Sequence, residues 1–266
     1  MTAVQTTPIA APGAAPGAPV RRTGIPLARL TRIELRKLAD TRSGLWLLIV
    51  IGLAAAGTTA IMLAASPDAE QTFAGLLSFG LLPASVLLPV LGILSMTSEW
   101  SQRTALTTFT LTPTRGRVVA AKLVAAVLIA VATTVAAAAL CAVGNLIAIG
   151  TGGDGSWRLG PGLAGQLLVN QVVFVLMGSA FGALLMNSPL AIVLYFAIPT
   201  AWSVLGEMVR WLRTAAGWVD INLTSVPLSE PGMTGGQWAR FAVAALVWVV
   251  LPLILGTVRV LRREVS

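Results

Sequence analysis

Ser98–Lys122 reads SEWSQRTALTTFTLTPTRGRVVAAK and carries Glu99, Arg103, Arg115, Arg117 and Lys122. The apolar runs beside it, Leu76–Thr97 and Leu123–Ile149, contain no charged residue. A helix of ~20 apolar residues spans a bilayer core. The polar stretch is therefore a connection between two membrane crossings, and this decides the fold. Prolines 83 and 89 inside the run before it predict a kinked helix whose neighbours satisfy the freed carbonyls.

Outward from this connection the same pattern repeats. Spans are expected at about 44–65, 76–97, 118–149, 163–186, 189–206 and 241–258. Lys122 stands in the first turn of the third, which places that turn among lipid headgroups, with Arg115 and Arg117 as its basic anchor. Gly178 and Gly182 form a GxxxG spacing in the fourth, which allows close helix packing, expected within the chain, with dimerisation as the alternative. Glu207–Arg240 is a 34-residue connection between the fifth and sixth spans. Trp202, Trp211, Trp218 and Trp238 bracket it, as aromatic residues do at membrane interfaces.

Residues 1–25 are rich in Ala, Pro, Thr and Gly and read as a disordered cytoplasmic tail. Residues 26–43 form an amphipathic helix. Leu27, Leu30, Leu35 and Leu38 share one side, Arg29, Arg32 and Arg36 the other, with Lys37 beside them; Ile33 and Glu34 break the pattern. Such a helix suits the surface of an anionic leaflet, the alternative being a solvated basic linker. Residues 44–266 make up the transmembrane domain. The fold class is all-α: a polytopic membrane protein with six transmembrane helices and an N-terminal interfacial helix.

Composition excludes several functions. The chain is 56% apolar and 11% charged, with mean hydropathy +0.85. Soluble domains average about 25% charged residues, so lipid must cover this surface. The net charge of +8 sits beside apolar runs rather than on a soluble basic face, which speaks against nucleic acid. With no His and a single Cys, Cys141, a His- or Cys-based metal site, a catalytic triad and an intrachain disulfide are excluded. No GxxxxGK[ST] loop is present, so ATP is not bound by that motif. Of the 18 cations, 14 lie on the side of the termini, and the positive-inside bias then puts both termini in the cytoplasm. Arginine outnumbers lysine 16 to 2, a bacterial, high-GC signature.

No acidic or basic residue lies deep in a span, which argues against proton-coupled transport. Asn145, Asn170, Gln171 and Glu207 are the candidate substrate-path residues. Interhelical bonding for the amides, and a headgroup position for Glu207, are the competing readings.

Three segments in order resemble the permease subunits of the ABC transporter type-2 family. These are ELRKLADTRS (Glu34–Ser43), TSEWSQRTALTTFTLTPTRGRVVAAKL (Thr97–Leu123) and VWVVLPLILGTVRVLRREV (Val247–Val265). The resemblance implies a bacterial exporter in the plasma membrane, working with two copies of a separate ATPase subunit and a second permease copy, identical or different. ATP and magnesium would bind the partner, with no cofactor in this chain. It implies that the helix with Arg29, Arg32, Glu34, Arg36 and Lys37 is a connecting helix. The Glu99–Thr110 segment becomes the coupling helix, with Glu99, Trp100, Arg103, Thr104, Leu106 and Phe109 meeting the ATPase. It also implies short re-entrant or outer-leaflet helices between spans five and six, though that connection is shorter than in many members. A non-transporting sensor or immunity scaffold, or a secondary transporter, are the other expectations.

Overall fold

A computed structural model describes residues 26–101 and 115–262. Among these residues the chain is helical and has no strand. Six helical stretches are long and apolar enough to cross a membrane: Arg42–Ala65, Phe73–Trp100, Arg115–Thr151, Pro161–Leu185, Ser188–Met208 and Gly235–Arg262.

Helix α1 (Leu27–Asp40) is separated from α2 (Arg42–Ala65) by Thr41, whose hydroxyl caps α2 by accepting from the Gly44 amide at 3.3 Å. The helix expected over residues 26–43 therefore ends earlier, because Thr41 is extended and a threonine side chain satisfies an orphan amide there. The second span is broken at Leu81 into α3 (Phe73–Gly80) and α4 (Leu82–Ser101). Pro83 lies at the break and Pro89 inside α4, and Gln171 Nε2 donates to the Leu81 carbonyl at 3.1 Å. The Ser85 amide donates to the same carbonyl at 3.0 Å, so the neighbouring helix adds a second donor at the break.

The third span, α5 (Arg115–Thr151), is 37 residues long. At 1.5 Å per residue it measures about 56 Å, well beyond a hydrocarbon core of ~30 Å. Then come α6 (Pro161–Leu185) and α7 (Ser188–Met208), joined by Met186 in the left-handed region (φ 52°) and by Asn187, whose side chain caps α7. Between spans five and six lie α8 (Arg213–Val219), α9 (Ile221–Ser225) and a 3-10 turn at Val226–Ser229. The last span is composite: α10 (Gly235–Ala245), a wide π turn (Leu246–Val250) and α11 (Leu251–Arg262).

The centre of the bundle is the α4–α6 pair. A Cβ added at Gly178 would collide with the Pro89 backbone, and one at Gly182 would lie 2.9 Å from the Ile93 carbonyl. Gly92 answers from the other side, against Val175 and Ser179. The GxxxG spacing therefore packs within the chain, and Gly256 of α11 presses on Ala183 and Leu184 in the same way. Leu88, Leu91, Ile93, Val175 and Met177 fill the space around these contacts and are fully buried or nearly so. The outer helices show the reverse: Leu53 and Ile61 of α2 and Val193 of α7 are about as exposed as surface residues. An apolar surface on this scale suits lipid, not water.

Contacts sort the helix ends onto two faces. One face joins α1, the ends of α4, α6 and α11, and the starts of α5 and α7. Thr97 and Ser188 share a 2.6 Å hydroxyl contact there, and Arg259 donates to the Leu184 carbonyl at 2.7 Å. On the opposite face the two short loops are sewn together. Asp154 N donates to Asp68 O and Gly155 N to Gln71 O, each at 2.9 Å. Gly155 (φ 58°) supplies the left-handed conformation that this turn requires.

Candidate coupling site

Four charged side chains meet where the Ser98–Lys122 connection leaves and rejoins the bundle. Lys122 lies eight residues into α5, and its side chain is 3% exposed. Its Nζ donates to Glu34 Oε2 at 2.8 Å and to the Ser95 carbonyl at 2.8 Å, and stands 3.2 Å from Glu99 Oε1. Lys37 Nζ donates to Glu34 Oε1 at 2.7 Å and lies 3.6 Å from Glu99 Oε1. Glu99 Oε1 is thus within ion-pair distance of both ammonium groups, yet neither offers it a well-aligned hydrogen bond. Two carboxylates and two ammonium groups leave the cluster neutral, which is the condition for burying charge.

The cluster exists because three helices bring it together. Leu30, Glu34 and Leu38 recur at helical spacing along the buried face of α1, so Glu34 points at the bundle while Arg29, Arg32 and Arg36 face outward. Glu99 comes from the end of α4 and Lys122 from α5. Two sequence readings are corrected here. Glu34 belongs to the packing face of α1 instead of breaking it, and Lys122, expected in the first turn of its helix, stands two turns in as the buried centre of the cluster. The signal was present in sequence: an acid on an apolar helix face and a base inside an apolar run are complementary anomalies.

Burial opposes the charged form of Glu34, but the Lys122 charge and hydrogen bond, with those of Lys37, outweigh it and hold the carboxyl below its ordinary range. Lys37 moves the other way. Burial alone would lower it, while Glu34 and Glu99 together raise it above the ordinary lysine value. Beside the cluster is a small cavity of about 130 Å³, lined by Glu34, Lys37, Thr41, Ser95, Ser98 and Ser188. The buried Ser95 Oγ has no hydrogen-bond partner among the described residues.

Of the residues expected to meet a partner, Glu99 is buried in the cluster. Trp100 packs beside Met96, Val119, Met186 and Val260. Arg103, Thr104, Leu106 and Phe109 lie outside the described residues. Arg36 forms an exposed ion pair with Asp40 at 3.0 Å, a contact that contributes little in water.

The candidate path residues divide. Asn145 is fully buried and donates to the Gly155 carbonyl at 2.8 Å. Gln171 is 1% exposed and donates to the Leu81 carbonyl between α3 and α4, while Asn170 is half-buried in α6. Glu207 stands apart: it lines a large cavity beside α8 and α9. Among the described residues no group of three or more His, Cys, Asp or Glu side chains is placed to hold a metal ion. No family model and no curated protein matches the chain.

Proposed function

We propose that this chain is the permease subunit of an ATP-driven exporter of the ABC type-2 kind. It sits in a bacterial plasma membrane with both termini in the cytoplasm. It moves a hydrophobic or amphipathic solute, using ATP hydrolysed by a separate ATPase present in two copies, and pairs with a second permease. The observation that carries this reading is the buried Glu34–Lys122–Glu99 cluster. It clamps α1, α4 and α5 at the root of the one long polar connection on the basic face. A push on that connection is thereby delivered to three helices at once, which a loose loop would not do. The acidic and basic residues of the spanning helices cluster near helix ends, an arrangement that favours this reading over a secondary transporter, which needs a charged coupling residue between them.

The test uses the full chain purified with whatever ATPase it captures. Arg103→Ala and Glu99→Gln are expected to lower solute-stimulated ATP hydrolysis while membrane insertion stays normal. Unchanged stimulation in both variants refutes the role of the connection. Failure to capture an ATPase refutes the transporter reading and leaves the sensor scaffold.

A further inference from the structure

On the face opposite the ion cluster, α7, α8 and α9 line an open cavity of about 710 Å³. We infer that this cavity binds an organic cation with an apolar body, held by the carboxylates of Glu207 and Asp220.

Four observations carry the inference. Ser203 and Glu207 stand one helical turn apart on α7, and Asp220 and Asn222 stand at the start of α9, all four lining the cavity. Asn222 Nδ2 donates to Ser203 Oγ at 3.2 Å, which ties the two walls together. Asp220 is 4% exposed. Its Oδ1 accepts from the amides of Asn222 and Leu223 at 2.9 and 3.1 Å, and Oδ2 has no protein partner among the described residues. Neither Asp220 nor Glu207 has a Lys or Arg nitrogen within 4.0 Å among those residues. The one cation of the lining, Arg213, turns to the Glu207 backbone carbonyl at 3.4 Å. The lining therefore carries a net negative charge and, on Asp220, a carboxylate oxygen to which no described residue donates.

Size and walls select the ligand class. A volume of this order suits a small organic molecule. Leu223 and Val226 are more than half exposed and supply the apolar side. A bare metal ion is disfavoured, since hard cations require six or more oxygen ligands and would leave these walls unused. Met208 and Trp211, 75% and 78% exposed, lie just beyond Glu207 and give an amphiphile an apolar approach from the lipid. Binding here needs no ATPase, so the inference and the transporter reading stand or fall separately.

The experiment is equilibrium binding of tetraphenylphosphonium to the full chain in nanodiscs, with empty nanodiscs subtracted. Tetraphenylborate, of like shape and opposite charge, is the control. Saturable binding of the cation alone is expected, weakened about tenfold by Glu207→Gln and by Asp220→Asn, since each removes a charge-assisted contact. The Asn variant keeps the Oδ1 acceptor that caps α9, and Glu207 is exposed, so both variants retain their folding contacts. Equal binding of the two ions, or wild-type affinity in Glu207→Gln, overturns the inference.

Discussion

Replacing Lys122 with Met removes the centre of the buried cluster while keeping the length and apolar stem of the side chain. With an effective dielectric constant of ~20, the attraction across 2.8 Å to Glu34 is on the order of 6 kcal/mol, and that across 3.2 Å to Glu99 about 5 kcal/mol. Desolvation of several kcal/mol per ion offsets most of this, so the intact cluster is only modestly better than an apolar one. Losing one partner is a different matter. Glu34 and Glu99 would then share Lys37 alone, whose side chain is 46% exposed, and breaking a buried pair this way costs about 3–5 kcal/mol. For a domain of this size that is a fall of about 10 °C in Tm. The assay is thermal unfolding of detergent-purified protein, run as a double-mutant cycle with Glu34→Gln. The double variant should recover at least half of the loss, because the stranded carboxylate is gone. If the two losses simply add, Glu34 and Lys122 are not coupled and the cluster argument fails.

Further outcomes follow from other parts of the structure. The Glu34 carboxyl is held below its ordinary value of 4.5, so its stabilisation is present above that pH and is lost as pH falls through the folded value. Lys37 is held above its ordinary 10.5, so its share persists below that pH and is lost only as pH rises past the folded value. Tm should therefore be level between these limits, with an acid limb that Glu34→Gln makes shallower; an unchanged limb contradicts the assignment. Gly178→Ala should lower Tm by several degrees, because its Cβ meets the Pro89 backbone, whereas Gly165→Ala, with nothing within 4 Å, should not; equal effects would remove the α4–α6 close approach. Native Cys141 is buried, so single cysteines can be added without removing it. With an impermeant maleimide on intact cells, Thr151→Cys should label and a cysteine in the N-terminal tail should not; the reverse pattern inverts the proposed orientation.

The spanning helices were legible in the sequence because hydropathy summed over about twenty residues is a strong signal that one polar residue cannot mask. The limits of the helices were less so. Thr41 opens α2 through a side-chain cap, and at the break near Leu81 the added donor, Gln171, comes from ninety residues away. The site was legible only as anomalies. Glu34 disturbed an amphipathic pattern and Lys122 disturbed an apolar run, yet a separation of 88 residues hides their pairing from any local reading. The cavity at Glu207 was legible only as that one candidate residue. Its second carboxylate, Asp220, sits in a connection whose short helices are set by local caps and by a tryptophan from the last span.

That tryptophan gives the wide turn at Leu246–Val250 a further meaning. A π turn takes one residue more than an α turn, so the chain before it is rotated about 100° from where a regular helix would carry it. Pro252 follows at once and lacks the amide that a regular helix would need there. The last span is thus two faces set out of phase on one axis. Below the turn, Gly256 meshes with α6. At the turn, the Trp248 indole donates to the Val219 carbonyl at 2.7 Å, and above it Arg240 lies 5.7 Å from the centre of the Trp218 ring. Straightening the helix by a single residue would preserve the lower gear and unmesh the upper one, so the spare residue works as a phase key between the bundle and its outer cap.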